Sequence, residues 1–172
     1  MAASKVSPVA ILLLVLAAAL AGTSVTDSWF TGRVTWPPQA SGARVEAGLM
    51  GVSVFDRGER NTRWDNVPNI DLDMVASGYL GAVGGVIAAG FLLLLGLGEL
   101  AGRGGPDPRT LRVARVATRV AGAAMLYFLL RSWIDDSPGP LHLDVSWGGF
   151  AALAAIVGAM RVLPMVGATH AR

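Results

Sequence analysis

"VASGYLGAVGGVIAAGFLLLLGLG" (Val75–Gly98) runs without a single charge. A hydrocarbon core ~30 Å thick needs about 20 apolar residues in helical form, so this stretch is predicted to be a membrane-spanning helix. Working outward, three further stretches qualify. Pro8–Val25 is apolar throughout, and its proline suits a first helical turn. Residues 112–134 hold the run "VAGAAMLYFLL" (Val120–Leu130) between Arg119 and Arg131. That run is short, so both arginines are expected to snorkel, with Tyr127 and Trp133 forming an interfacial belt at one end. Val145–Val166 is the fourth span. The expected fold is an all-α membrane protein, residues 1–172 forming one four-helix transmembrane bundle.

Composition agrees. Of 172 residues 53% are hydrophobic and 15% charged, where a soluble domain carries about 25% charged residues. The net charge of +2 offers nothing to a nucleic acid. There is no cysteine, which excludes disulfide staples, thiol catalysis and cysteine metal sites. Among 14 basic residues only Lys5 is a lysine. With the abundant Ala and Gly, this fits a GC-rich, bacterial coding sequence.

The basic residues set the orientation. Lys5 precedes the first span, and Arg103, Arg109, Arg112 and Arg115, against Glu99 and Asp107, lie in the linker and at the start of the third. Arg161 and Arg172 close the chain, with no acid beside them. By contrast, Thr26–Met74 holds five arginines against seven acids, and Ser132–Asp144 holds three acids and no base. Both termini are therefore expected in the cytoplasm of a plasma (inner) membrane protein, with residues 26–74 and the short second loop outside. "ALAG" (Ala19–Gly22) also has the small residues of a signal-peptide cleavage site; retention of the first span is the expectation.

The 26–74 insert is predicted to be a small extracytoplasmic antiparallel β-sheet. "VSVF" (Val52–Phe55) and "RNTRW" (Arg60–Trp64) flank a turn containing Gly58 and read as a hairpin. Gly32–Trp36 and Ala43–Gly51 are candidate partner strands. Trp29, Trp36 and Trp64 are expected to fill the lower face of this sheet, or to contact a carbohydrate or partner.

A tetraspan with cytoplasmic termini, a β-rich first outer loop and a short second one resembles the claudin and peripheral-myelin-protein superfamily. Trp29 stands where that family has a Trp soon after the first helix, and Gly48-Leu49 matches its Gly-Leu pair. Met50 replaces the Trp that follows, and Ser53 with Asn61 or Thr62 falls near its two cysteines. Asp71-Leu72 precedes the second span much as a polar residue and Leu do there. The resemblance implies a claudin-like fold whose sheet mediates contacts between neighbours and across cells.

Small residues let helix backbones approach where lipid gives no hydrophobic drive. Ser77, Gly81, Gly85 and Ala89 recur every four residues, as do Ala151, Ala155 and Ala159; the third span offers Ala117, Ala121 and Ala124. These are candidate packing stripes within the chain, with a dimer seam along Gly81 and Gly85 as the alternative. "FLLLLGL" (Phe91–Leu97) suits lipid or another subunit. Arg112, Arg115 and Arg119 share a helical face and are candidate lipid-headgroup contacts.

Chemistry is sparse. His142 and His170 fall on opposite sides of the membrane, so they cannot jointly ligate haem. His142 with Asp135, Asp136 and Asp144 lacks the usual metal-ligand spacing, and that segment reads as a solvated loop turned by "SPGP". "GRGGP" (Gly102–Pro106) lacks the Lys and Ser/Thr of a phosphate loop. No cofactor, metal or catalytic residue is expected. The favoured role is a non-catalytic scaffold, adhesion or accessory subunit, with the bilayer and other subunits or itself as partners. The alternative is an oligomeric channel with an acidic outer mouth.

Overall fold

The computed structural model describes residues 7–26, 29–34, 43–55, 59–67, 70–102, 106–134 and 141–168. Four helices carry the chain: α1 (Pro8–Val25), α2 (Leu72–Leu100), α3 (Pro108–Ile134) and α4 (Trp147–Ala168). All four are long and apolar enough to cross a membrane. They form a ring in which α1 lies against α2 and α4, and α3 against the same two. Consecutive helices therefore run antiparallel. α2 ends where Gly102 takes a left-handed backbone (φ 61°), a conformation glycine adopts without steric cost.

Five strands form one antiparallel sheet at the end opposite the α2–α3 connection. They are β1 (Phe30–Val34), β2 (Arg44–Ala47), β3 (Gly51–Phe55), β4 (Glu59–Arg63) and β5 (Leu141–Val145), in the order β4-β3-β2-β1-β5. The expected hairpin is present, with Val52 opposite Thr62 and Phe55 opposite Glu59. The first strand lies earlier than Gly32–Trp36, and the second is shorter than Ala43–Gly51 because the chain turns at Gly48–Met50. Trp36 and the Gly58 turn lie outside the described residues.

The largest correction concerns the second loop. Residues 141–145 are β5, paired with β1 along its whole length from Phe30–Val145 to Val34–Leu141. Both loops thus build one sheet, and Val145 is a strand residue, not the start of the fourth span. The spans shift as well: α2 begins at Leu72 rather than Val75, and α3 at Pro108 rather than residue 112. In each case capping-region residues too polar to count as span continue the helix.

The core is continuous from helices to sheet. Leu13, Leu20, Leu92, Met125 and Leu163 fill the bundle; Trp29, Phe30, Val45, Leu49 and Trp64 fill the space beneath the sheet.

Candidate functional site

Of the residues that carried the contact hypothesis, Trp29, Gly48, Leu49 and Trp64 are described, and they lie at the junction of sheet and bundle. Trp29 and Trp64 are fully buried, and Gly48 and Leu49 are buried beside them. They pack within the chain and present no surface to a partner. Trp29 donates Nε1–H to the Thr23 carbonyl at 2.5 Å, satisfying an acceptor in the last turn of α1. Trp64 donates Nε1–H to the Gly48 carbonyl at 2.8 Å, which fixes the β2–β3 turn.

Phe128 of α3 is the hub of this seat. Its ring meets Trp29, Phe30 and Trp64 edge to face, with centroids 6.4, 5.8 and 5.9 Å away. Edge-to-face pairs add about 0.5–1.5 kcal/mol each beyond area burial. Sequence reading missed Phe128, because one Phe in an apolar span carries no signal of its role.

The α2 stripe packs as expected, though not only against helices. Ser77, Gly81, Gly85 and Ala89 are all buried. A Cβ on Gly85 would fall on the Ser24 hydroxyl of α1, and on Met125 Cε at 2.7 Å. One on Gly81 would press Met125 Cγ at 3.1 Å and reach Leu49 at 3.6 Å. One on Gly78 would collide with the Leu49 carbonyl and meet the Phe128 ring at 3.1 Å. The sheet-side half of the stripe therefore receives the β2–β3 turn. On α4, Ala155 and Ala159 are buried while Ala151 is only half-buried; Ala152 takes its place, since helical spacing alternates three and four.

Polar clamps surround the seat. Arg131 ion-pairs with Asp71 at 2.6 Å and Asp73 at 3.5 Å, joining the end of α3 to the start of α2. Tyr127 donates its hydroxyl to Asp73. Arg131, expected to snorkel, is instead tied to these acids. Arg63 donates Nε–H to the Tyr79 hydroxyl at 2.8 Å, with its guanidinium 5.3 Å from the ring centroid. The Tyr79 oxygen, and Asp65 behind it, raise the Arg63 pKa above its already high ordinary value.

Away from the bundle the sheet is mostly polar, with the exposed Phe55 opposite Arg44. Thr31 stands opposite Glu46 and Asp144, and Glu46 opposite Ser53. Arg33 stands opposite Arg44, whose guanidinium reaches Glu46 at 2.6 Å. β4 and β5 are the two edge strands. At the base of β5 a crevice of about 480 Å³ opens among Phe30, Leu129, Trp133, Val145 and Phe150. Trp133, Trp147 and Phe150 are 75%, 68% and 64% exposed, an aromatic group at one level of the bundle.

At the other end, Arg112 and Arg119 are exposed and Arg115 is half-buried against α4. No cluster of metal-binding type occurs among the described residues. Protein-family models yield no match to this chain, and no curated protein matches it in sequence.

Proposed function

We propose that this protein is a non-catalytic integral membrane scaffold, adhesion protein or accessory subunit, claudin-like in architecture, whose extracytoplasmic sheet is its contact surface. The observation that carries the reading is the rigid mounting of a polar sheet on an apolar bundle. Three aromatic rings converge on Phe128 beneath the sheet, while Arg33, Arg44, Glu46 and Asp144 line the far side. A sheet held this firmly presents its polar side chains and edge strands in fixed register, as lasting contacts require.

Membrane insertion is supported by the outward faces of the helices. Val15, Val83, Leu94 and Val157 are each more than half exposed, an arrangement that water penalises and lipid does not. Trp133, Trp147 and Phe150 suit a headgroup boundary. The charge asymmetry of the loops supports cytoplasmic termini in the plasma (inner) membrane of a bacterium. The residues behind the claudin resemblance, Trp29 and Gly48-Leu49, are among those that seat the sheet.

The absence of native cysteine makes the test direct. Arg44→Cys on the sheet and Arg109→Cys at the opposite end are cross-linked in native membranes with a short bis-maleimide. Discrete adducts at position 44, from a second copy or one reproducible partner, are expected. A chain that stays uncross-linked at position 44 and conducts ions in liposomes would replace this reading with the channel.

A further inference from the structure

The bundle end remote from the sheet contains a second constellation. Arg115 projects from α3 toward α4, where its Nη2 donates to the Leu163 carbonyl over a long 3.4 Å. Its Nε is buried and, among the described residues, has no hydrogen-bond partner. Next to it lies a hollow of about 220 Å³ lined by Arg115, Thr118, Arg119, Met160, Leu163 and Pro164. The Thr118 hydroxyl proton is committed to the Ala114 carbonyl at 2.8 Å. Pro164 sits inside α4 and has no N–H to offer the Met160 carbonyl. Among the described residues, no carboxylate lines the hollow. Among the described residues, neither Arg115 nor Arg119 forms an ion pair.

A half-buried guanidinium with an unmet donor is costly, and the partner that offsets the cost is an anion with several acceptor oxygens. Depth narrows the choice. Arg131 marks the sheet end of α3, and Arg115 lies ~24 Å further along at 1.5 Å per residue. In a hydrocarbon core ~30 Å thick that is close to the far boundary, at the level of lipid phosphates. Val116, Val120 and Val157 are exposed on the helices that bound the hollow. A soluble ion would have to pass apolar surface, whereas a phospholipid lays its acyl chains along it.

We infer that this α3–α4 hollow binds the phosphate of an anionic phospholipid from the leaflet opposite the sheet, through Arg115 and Arg119. The inference rests on the membrane insertion proposed above, not on the scaffold role.

Native mass spectrometry of the full chain in mild detergent tests it, with dioleoyl phosphatidylglycerol, dioleoyl phosphatidylcholine and inorganic phosphate as probes. One phosphatidylglycerol should be retained, at least tenfold more tightly than phosphatidylcholine. Arg119→Gln, at an exposed position, should weaken retention about tenfold without disturbing the fold, and Arg115→Gln by at least as much. Arg44→Gln, on the sheet, should leave it unchanged. Equal retention by Arg119→Gln and the parent chain would overturn the site, as would displacement of the lipid by inorganic phosphate. Alkaline carbonate washing of membranes separates the two layers of argument: release of the protein sinks insertion itself, while retention without lipid selectivity sinks only this site.

Discussion

Phe128→Ala is the sharpest probe of how the sheet is mounted. The ring is fully buried and meets three aromatic edges, two of them indoles whose N–H groups are already bonded elsewhere. Three edge-to-face pairs at about 0.5–1.5 kcal/mol each give about 1.5–4.5 kcal/mol. Large-to-small series give about 3–5 kcal/mol for Phe→Ala in a core that cannot collapse. The two ranges overlap at about 3–4.5 kcal/mol, so a loss on the order of 3 kcal/mol is expected. Hydrogen exchange of the detergent-solubilised protein reads it locally. Amides of β1, β2 and β3 should exchange on the order of 10²-fold faster, each 1.4 kcal/mol being a factor of ten. The lower turns of α2 and α4 should change little. Phe150→Ala, at an exposed ring of α4, should shift exchange by less than a factor of about three, the ±0.5 kcal/mol of a surface change. Sheet exchange that stays within threefold in Phe128→Ala refutes the hub, and acceleration spread evenly over all four helices refutes its local role.

Three further outcomes follow from the same geometry. Gly78→Ala places a methyl on the Leu49 carbonyl and the Phe128 ring, an overpacking cost of about 1–3 kcal/mol; a lowered Tm should appear, and Gly98→Ala, where a Cβ meets nothing, should not lower it. Trp29→Phe keeps a ring but orphans the Thr23 carbonyl, so chemical denaturation should show a loss of about 1–3 kcal/mol. A membrane-impermeant maleimide should label Arg33→Cys on intact cells and Arg109→Cys only after permeabilisation; the reverse pattern would invert the proposed orientation.

Helix number and the main hairpin were legible because each rests on a local signal. Apolar length marks the four helices, and alternation around a glycine turn marks β3 and β4. The fifth strand was legible too, yet went unread: Leu141-His142-Leu143-Asp144-Val145 alternates with period two. Three nearby acids and "SPGP" drew the reading toward a solvated loop instead. Its pairing with β1 joins residues more than a hundred positions apart, and no local pattern records that. The seat was legible by residue type alone. Trp29 and Trp64 were expected under the sheet, but their convergence on Phe128, like the reach of Arg131 across to Asp71, depends on how α3 is rotated. Rotation follows from packing, which a single sequence does not encode locally.

Unequal helix lengths explain why a cysteine-free sheet stands on this bundle at all. α1 has 18 residues and α2 has 29. Their register is fixed by Gly96 lying against Ala10 and Leu14, and Gly85 against Ser24. α1 therefore ends beside Gly85, and Leu72–Val83 of α2, about 18 Å of helix, continues past it. That overhang leaves a cleft beside α2 and α3 with no helix to fill it. Trp29, Phe30, Leu49 and Trp64 enter it, Leu49 closing on Gly78 and Gly81. The underside of the sheet takes the place of the missing turns of α1. An isolated two-stranded hairpin is marginal in water, but this sheet shares its core with the bundle and gains β5 from the second loop. Shortening the overhang or lengthening α1 would remove the cleft, and with it the reason for the sheet to fold there.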